Sequence, residues 1–346
     1  MKKISVITTG GTIGSLLGDA SVVVAPTEKY IADEIAQVKD KLECTVVLDS
    51  PINKNSENFT PIDWLILLEA IKKANDSDSD GIVITHGSDT LAYSVAAALA
   101  FSHLWTKKIC FTGAYYAPNH PLSDTSLNLS AALAFSSSSY PEQGVYVAFR
   151  ANGENSEAKI MQGKAIKPME FDALFFDSTY GETVATFSPE HGLLSDISLP
   201  SENSPCLDAM QLPTVDDIQE ASAKVGMIVL YPGIDRKMLD AAVEGRDILI
   251  IQAYHCGTGP SEANSDLIRF IEEVRSRTKV LIATFPQKYI SVPYESTLKL
   301  IAAGAHIYAD LQVHFLYVFS VLGLSVSLSP DDVVDKMSVN EVLADK

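Results

Sequence analysis

Residues 3–14 read KISVITTGGTIG and residues 81–90 read GIVITHGSDT. In each, a short run rich in Ile and Val meets glycine and hydroxyl residues. A run that short, apolar on both faces, suits a strand of a parallel sheet covered by helices on two sides. The glycines mark the turn that follows. Two more strands are expected at Cys44–Asp49 (CTVVLD) and Lys108–Thr112 (KICFT). Between them, Thr60-Pro61-Ile62-Asp63 supplies a cap hydroxyl, a proline at the first helical position and an acid in the first turn, ahead of WLILLEAIKKA. Residues 90–103 and 124–135 also read as helices. Alternation of this kind implies right-handed βαβ units.

From 188 to 222 the pattern lapses. Four prolines (Pro189, Pro200, Pro205, Pro213) and several acids without any Lys or Arg read as a linker. Strands resume with VGMIVLYPG at Val225, DILIIQAY at Asp247 and KVLIATF at Lys279, and Ser329-Pro330-Asp331-Asp332 caps a last helix. The expectation is an α/β protein of two lobes. A larger N-terminal domain (1–187) has an open, mostly parallel sheet with flanking helices, and a smaller α/β domain spans 223–346.

A length of 346 residues fits two domains, and 47% hydrophobic against 20% charged residues is enough for a buried core. The net charge of −18 repels phosphate backbones and anionic lipid, so no nucleic acid and no membrane partner is expected. The longest nearly apolar run, Phe315 to Leu324, is too short to span a bilayer. Polar TTGG interrupts the first apolar stretch too early for a signal-peptide core. Four scattered cysteines without a C-x-x-C pair argue against a zinc site or disulfide framework. A cytoplasmic protein is the expectation.

In an open parallel sheet, ligands sit beyond the carboxyl ends of the strands. A dinucleotide there is disfavoured, because G-G-x-x-G lacks the G-x-G-x-x-G spacing and Asp49 lies too far on to serve the ribose. No cofactor is expected. The better reading is a hydroxyl nucleophile. Thr12 follows two glycines in a turn able to offer N–H donors to an oxyanion, and Ser88, Asp89 and Thr90 leave the third strand at the same edge. Alone, T-G-G-T is a tight turn and Ser-Asp an N-cap; together, at the ends of adjacent strands, they point to a site. His86 has no second histidine at metal spacing, so it reads as a hydrogen-bonded structural residue and no metal is expected. His255 and Cys256, as strand neighbours, would point to opposite faces and form no dyad. Trp64 and Trp105 read as packing anchors.

ITTGGTIGS (7–15), GIVITHGSDTLAYS (81–94), FTGAYYAPNHPLSDTSLNLSAAL (111–133) and IIQAYHCGTGP (250–260) resemble the bacterial L-asparaginase/glutaminase family in its cytoplasmic branch. The resemblance implies hydrolysis of L-asparagine to L-aspartate and ammonia through an acyl-enzyme. By that likeness Thr12 is the primary nucleophile, Ser88 stands where the family usually has a second Thr, and Asp89 is its partner acid. Lys167 is the proton-transferring lysine, with Lys164 as the alternative across a two-residue gap. Ser56 and Glu57 grip the substrate's α-carboxylate and α-amino groups, while Gly11 and Gly87 present backbone to it. The chain departs from the family pattern in three places. Val22, Val23 and Val24 occupy the region of a loop Tyr, for which Tyr30 is a poor substitute. The segment KIMQGKAIKPMEFDALF, which carries Lys164 and Lys167, is two residues shorter than the family's stretch before FDAL. Thr258 stands where a neighbouring subunit often supplies Asn, and Gln287–Tyr289 offers no clear second-lobe acid. The implied substrate is a small amino-acid amide and the implied assembly a homodimer or homotetramer. The departures keep two alternatives open: another amide such as L-glutamine, or a non-catalytic amino-acid-binding protein.

Overall fold

The computed structural model describes residues 1–346 apart from 19–21, 25–26, 40–41, 140–142, 182, 195–203, 263, 289–290, 339–340 and 343–346. The chain divides into two compact units, Met1–Ser204 and Pro205–Lys346.

The first unit runs β1 (Lys2–Thr8), β2 (Ser15–Leu17), β3 (Val22–Val24), α1 (Thr27–Lys39), β4 (Cys44–Asp49), α2 (Pro61–Asn75), β5 (Gly81–Thr85), α3 (Leu91–Ala100), β6 (Lys108–Thr112), α4 (Thr125–Ser137), β7 (Gly144–Arg150), β8 (Ala158–Gln162), β9 (Ala185–Ser188) and β10 (Gly192–Leu194). Its eight-stranded sheet has the order β10-β9-β8-β7-β6-β5-β1-β4. Strands β4, β1, β5, β6 and β7 are parallel, and β8 to β10 add as antiparallel hairpins. The four strands read from their apolar runs are present to within a residue at each end. Strands β1, β5 and β6 hold because Ile4, Val6, Ile82, Val83, Ile84, Ile109 and Phe111 are all at most 1% exposed, as strands covered on both faces require, whereas β4 ends the sheet and keeps Val47 46% exposed. Helix α2 starts as its sequence dictates: Asp63 accepts from the Thr60 N–H at 2.7 Å and the Thr60 hydroxyl at 2.9 Å, with Pro61 next in line.

One topological fact positions the site. From β1 the chain crosses to β4 on one side, then returns to place β5 on the other side of β1 and continues outward through β6 and β7. The direction of winding therefore reverses between β1 and β5, and a switch point of this kind is where open parallel sheets bind ligands, beyond the carboxyl ends of the strands.

The second unit runs α5 (Val215–Lys224), β11 (Val225–Val229), α6 (Arg236–Val243), β12 (Ile248–Gln252), α7 (Asp266–Val274), β13 (Lys279–Phe285), α8 (Glu295–Ala303), β14 (Ala305–Ala309), α9 (Val313–Ser325) and α10 (Pro330–Lys336). Its four strands are parallel in the sequential order β11-β12-β13-β14, with no reversal. Leu239, Leu249, Phe270, Val280 and Leu300 share its core. Among the described residues no helix is long and apolar enough to cross a membrane.

The stretch 188–222, expected as a linker, is divided between the units. Ser188 closes β9 and Gly192–Leu194 forms β10, so its start completes the first sheet. Its end opens α5, where Thr214 caps the helix through Asp217 N–H at 3.3 Å. The prolines misled because Pro189 lies between two strands and Pro213 just ahead of the cap, where neither interrupts an element. Residues 195–203 of the stretch lie outside the described residues.

Candidate active site

Beyond β1, the Thr9 N–H and hydroxyl both donate to the Thr85 carbonyl, at 3.1 and 3.0 Å. Gly10 and Gly11 then take φ of 98° and 75°, a left-handed path that favours glycine. Gly11 donates to the Lys54 carbonyl at 3.2 Å, and Lys54 donates back to Thr9 at 3.3 Å. The turn from β1 is thereby stitched both to β5 and to the segment after β4. Thr12 follows as the first residue of a 3-10 turn, Thr12–Gly14, capped by Gly11. Ser15 closes that turn by donating its hydroxyl to the Gly11 carbonyl at 2.7 Å. Thr12 itself is half-buried.

The turn after β5 crosses the first at backbone contact. A Cβ on Gly11 would lie 2.3 Å from the Gly87 Cα, and one on Gly87 would lie 2.5 Å from the Ser56 Oγ. Only two glycines permit this crossing, and it makes Thr12 and Ser88 each the next residue along from the point of contact. His86 sets the plane of the second turn. It is fully buried, its Nδ1 faces the Gly87 carbonyl at 2.9 Å and its Nε2 faces the Ser94 hydroxyl at 2.8 Å. Burial pushes its pKa down to about 4, so the ring is neutral, donating to Gly87 and accepting from Ser94. The structural reading of His86 holds.

Ser56 and Glu57 lie on a second 3-10 turn, Ser56–Asn58, tied to the β5 loop by the Thr90 hydroxyl donating to the Ser56 carbonyl at 2.8 Å. The Ser56 hydroxyl is 2% exposed and completes no hydrogen bond of good geometry among the described residues, although the Asp89 carboxylate is near enough to feel it. Partial burial, then the negative charge of Glu57, hold the Asp89 carboxyl above the usual carboxylate range; the Ser56 hydroxyl offsets this in part. A buried hydroxyl beside a carboxyl that itself faces a like charge does little for folding. It suits a small ligand that carries both an ammonium and an acceptor.

A family model described as the N-terminal part of asparaginase matches residues 3–193, more than half of the chain. The chain belongs to the asparaginase family. Among its relatives are the glutamyl-tRNA(Gln) amidotransferase subunits D of Methanococcus vannielii and Thermoplasma volcanium. The first is 29% identical over 75% of this chain and 60% of its own, the second 27% identical over 93% and 76%. The chain thus spans about 60% of the length of the first relative. The fold matches the thermostable L-asparaginase of Thermococcus kodakarensis (TM-score 0.75, 23% identity, 97% of both chains). It also matches L-asparaginase I of Vibrio cholerae (TM-score 0.74, 24% identity, 97% of this chain and 96% of the other).

Of the asparaginase-type residues read from the sequence, Gly11, Thr12, Ser56, Glu57, Gly87, Ser88 and Asp89 all lie on the three turns that meet at this crossing. The lysines do not join them in the same way. Thr112 donates its hydroxyl to Ala148, which marks the level of the strand ends. Strand β8 descends antiparallel to β7 until Gly163 packs against the Val145 carbonyl, three residues or about 10 Å below that level. Lys164, next in the chain, starts from the wrong end of the sheet. The chain then turns back, Ile166 bridges to Ser178, and the Lys167 N–H donates to the Asp177 carbonyl at 3.0 Å. The Lys167 ammonium lies 3.7 Å from the Asp177 carboxylate, while the charged neighbour acting on Asp89 is Glu57. The side chains of Val22, Val23, Val24 and Tyr30, and all of Tyr289, lie outside the described residues.

Two findings differ from expectation in their cause. His255 and Cys256 sit in a tight turn closed by Gly257 N–H to the Tyr254 carbonyl at 2.8 Å, not on a strand; Cys256 is buried and His255 exposed. Trp105 is an anchor, 4% exposed with its indole N–H on the Ala98 carbonyl at 2.7 Å, but it follows a helical turn rather than lying within one. One pair went unread. Asp124, 0% exposed, accepts from the N–H groups of Tyr115 and Tyr116 and from the Asn128 amide, and lies 3.6 Å from the buried Arg150 Nε. The signal available was Arg150 itself, a cation ending the otherwise apolar strand GVYVAFR.

Proposed function

We propose that the chain hydrolyses the side-chain amide of L-asparagine to L-aspartate and ammonia, with Thr12 as nucleophile. The observation that supports it most is the buried Ser56 hydroxyl at the crossing of Gly11 and Gly87, beside an Asp89 carboxyl that faces the like charge of Glu57. Ser56 donates to the substrate α-carboxylate, and Glu57 with Asp89 takes the α-ammonium. That cation supplies the compensation Asp89 lacks and returns its carboxyl toward ordinary ionisation. Thr12 Oγ attacks the amide carbon, its proton passing to the Ser88 oxygen while Ser88 hands its own to Lys167, which acts as the neutral amine after leaving Asp177 and releasing its ammonium proton to water. Backbone N–H groups of the glycine turns stabilise the oxyanion, worth roughly 3 kcal/mol per donor. The C–N bond breaks as the leaving nitrogen takes up the relayed proton, giving ammonia and a Thr12 ester. Water, deprotonated by the same relay, cleaves the ester and restores Thr12. Ser at position 88 keeps the hydroxyl but loses the χ1 stiffness of Thr, a mild change. The test is ammonia release from L-asparagine by the wild type and its loss in Thr12→Ala; a folded Thr12→Ala protein with normal turnover overturns it.

A second reading, glutamine or a larger glutamyl amide, is favoured by the names of the two relatives and by valines where the family has a loop Tyr. Initial rates on asparagine, glutamine and glutamyl dipeptide amides separate the two, and a preference for asparagine above ~100-fold removes the second. The net charge of −18 argues against this chain gripping tRNA by itself. The proposal places the enzyme in the cytoplasm as a homodimer or homotetramer; sedimentation as a monomer at micromolar concentration overturns the assembly.

A further inference from the structure

The strand that leaves the Thr12 turn, β2, pairs antiparallel with β3 and is held at its far end by one further side chain. Asn119 Oδ1 accepts from the Leu17 N–H at 2.8 Å, and Asn119 Nδ2 donates to the Leu17 carbonyl at 3.0 Å. A carboxamide carries the same donor and acceptor as a peptide group, so this is a one-residue strand pairing made by a side chain across 102 positions of sequence. Leu17 is the third residue of β2, whose first, Ser15, closes the Thr12 turn through the Gly11 carbonyl. From Gly11 to Leu17 the chain is therefore fixed at both ends, by the glycine crossing on one side and by Asn119 on the other.

Asn119 is presented rigidly. Ala117-Pro118-Asn119-His120 is a turn closed by the His120 N–H on the Ala117 carbonyl at 2.9 Å, with Pro at the second position, where its fixed φ is pre-set. His120-Pro121-Leu122-Ser123 repeats the device, Ser123 N–H donating to the His120 carbonyl at 2.9 Å. The base of the loop is tied by Asp124 to the N–H groups of Tyr115 and Tyr116, over the buried Arg150, whose guanidinium lies 5.3 and 5.4 Å from the two rings. His120 stacks on Tyr116 at 4.3 Å. The loop is thus anchored in the core at one end and grips β2 with its tip.

We infer that Asn119 is a positioning residue for Thr12, acting through Leu17 and the short strand between them. The inference rests on Thr12 being the nucleophile. A hydroxyl displaced by a fraction of an ångström from its attack geometry loses rate while substrate contacts at Ser56 and Glu57 remain, so the effect falls on kcat rather than KM.

The experiment combines amide hydrogen exchange with steady-state kinetics on the full chain, comparing wild type, Asn119→Leu (similar size, no hydrogen bonds) and Asn119→Asp (acceptor kept, donor lost). The expected result for Asn119→Leu is exchange about 10-fold faster at Leu17 with the amides of β1 unchanged, and kcat on the better of asparagine and glutamine reduced about 10-fold with KM within twofold. Asn119→Asp falls between. Faster exchange at Leu17 with kcat unchanged overturns the positioning role. Loss of protection throughout β1 overturns it too, because it reports a structural effect alone. A wild type that hydrolyses neither amide removes the Thr12 reading first, and is told apart because it needs no variant to be seen.

Discussion

At the amino edge of the first sheet, Asp76, Asp78 and Asp80 face Lys72 at 2.6 Å, Lys3 at 2.5 Å and Lys2 at 2.8 Å. At the carboxyl edge, Asp89 faces Glu57. Hydrogen bonds from the lysines hold the three amino-edge carboxyls below their usual range, whereas burial and a like charge hold Asp89 above it. Both edges also pack a glycine against backbone: a Cβ on Gly81 would lie 2.6 Å from the Ser136 carbonyl oxygen, and one on Gly11 2.3 Å from the Gly87 Cα. Close packing therefore does not distinguish a site from a scaffold. Charge compensation does. Folding satisfies the charges of these amino-edge acids, whereas at the carboxyl edge it leaves Asp89 facing a like charge.

The largest effect expected at the carboxyl edge is that of Thr12→Ala, with ammonia release falling about 10³-fold or more and the melting temperature nearly unchanged. Equal activity in the variant would reduce that edge to a scaffold like the other. Next come the lysines. Lys167→Met is expected to lose about 10²-fold in kcat, as loss of a proton-transfer group does, whereas Lys164→Met stays within a few-fold of wild type; the reverse would reassign the relay. Ser56→Ala sharpens the comparison further. Removing a buried hydroxyl whose neighbour is the Asp89 carboxylate changes stability by no more than about 1 kcal/mol, yet KM should rise about 10-fold; a larger drop in stability would make Ser56 structural.

The smallest effects are those of pH on the two kinds of acid. Asp80 binds its proton less tightly when folded, so its contribution to stability is present above its unfolded pKa and is lost as pH falls through the folded value. Asp89 binds its proton more tightly when folded, so ionising it costs stability above the folded value and nothing below the unfolded one. Thermal melts should show Asp80→Asn slightly less stable than wild type at about pH 7, with the gap closing toward about pH 3, and Asp89→Asn slightly more stable at about pH 7. Shifts of the same sign would erase the contrast between the edges.

Much of the N-terminal sheet was legible because β1, β5 and β6 are short and apolar on both faces, as covered parallel strands are, while β4, at the sheet margin with Val47 46% exposed, was legible from its β-branched run. Hairpins β8–β10 were not, since a hairpin at a sheet margin has no long periodic signal and its pairing comes from partners distant in sequence. The same holds for β14, a five-residue strand between two helices. At the site, Thr12, Ser88 and Asp89 were visible because glycine must accompany a backbone that turns sharply at a strand end. Asn119 was invisible: an asparagine between two prolines reads as an ordinary turn residue, and its partner is 102 positions away.

By itself the sequence determined the alternation of strands and helices, the two glycine turns and the hydroxyls beside them, because those depend on local backbone freedom and on which side chains tolerate water. Tertiary structure alone decided that winding reverses between β1 and β5, that buried Ser56 arrives at their crossing beside Asp89, and that Lys164 emerges at the far end of β8. Those outcomes depend on strand order and register, which are set by the packing of whole layers and leave no mark on any single stretch of chain.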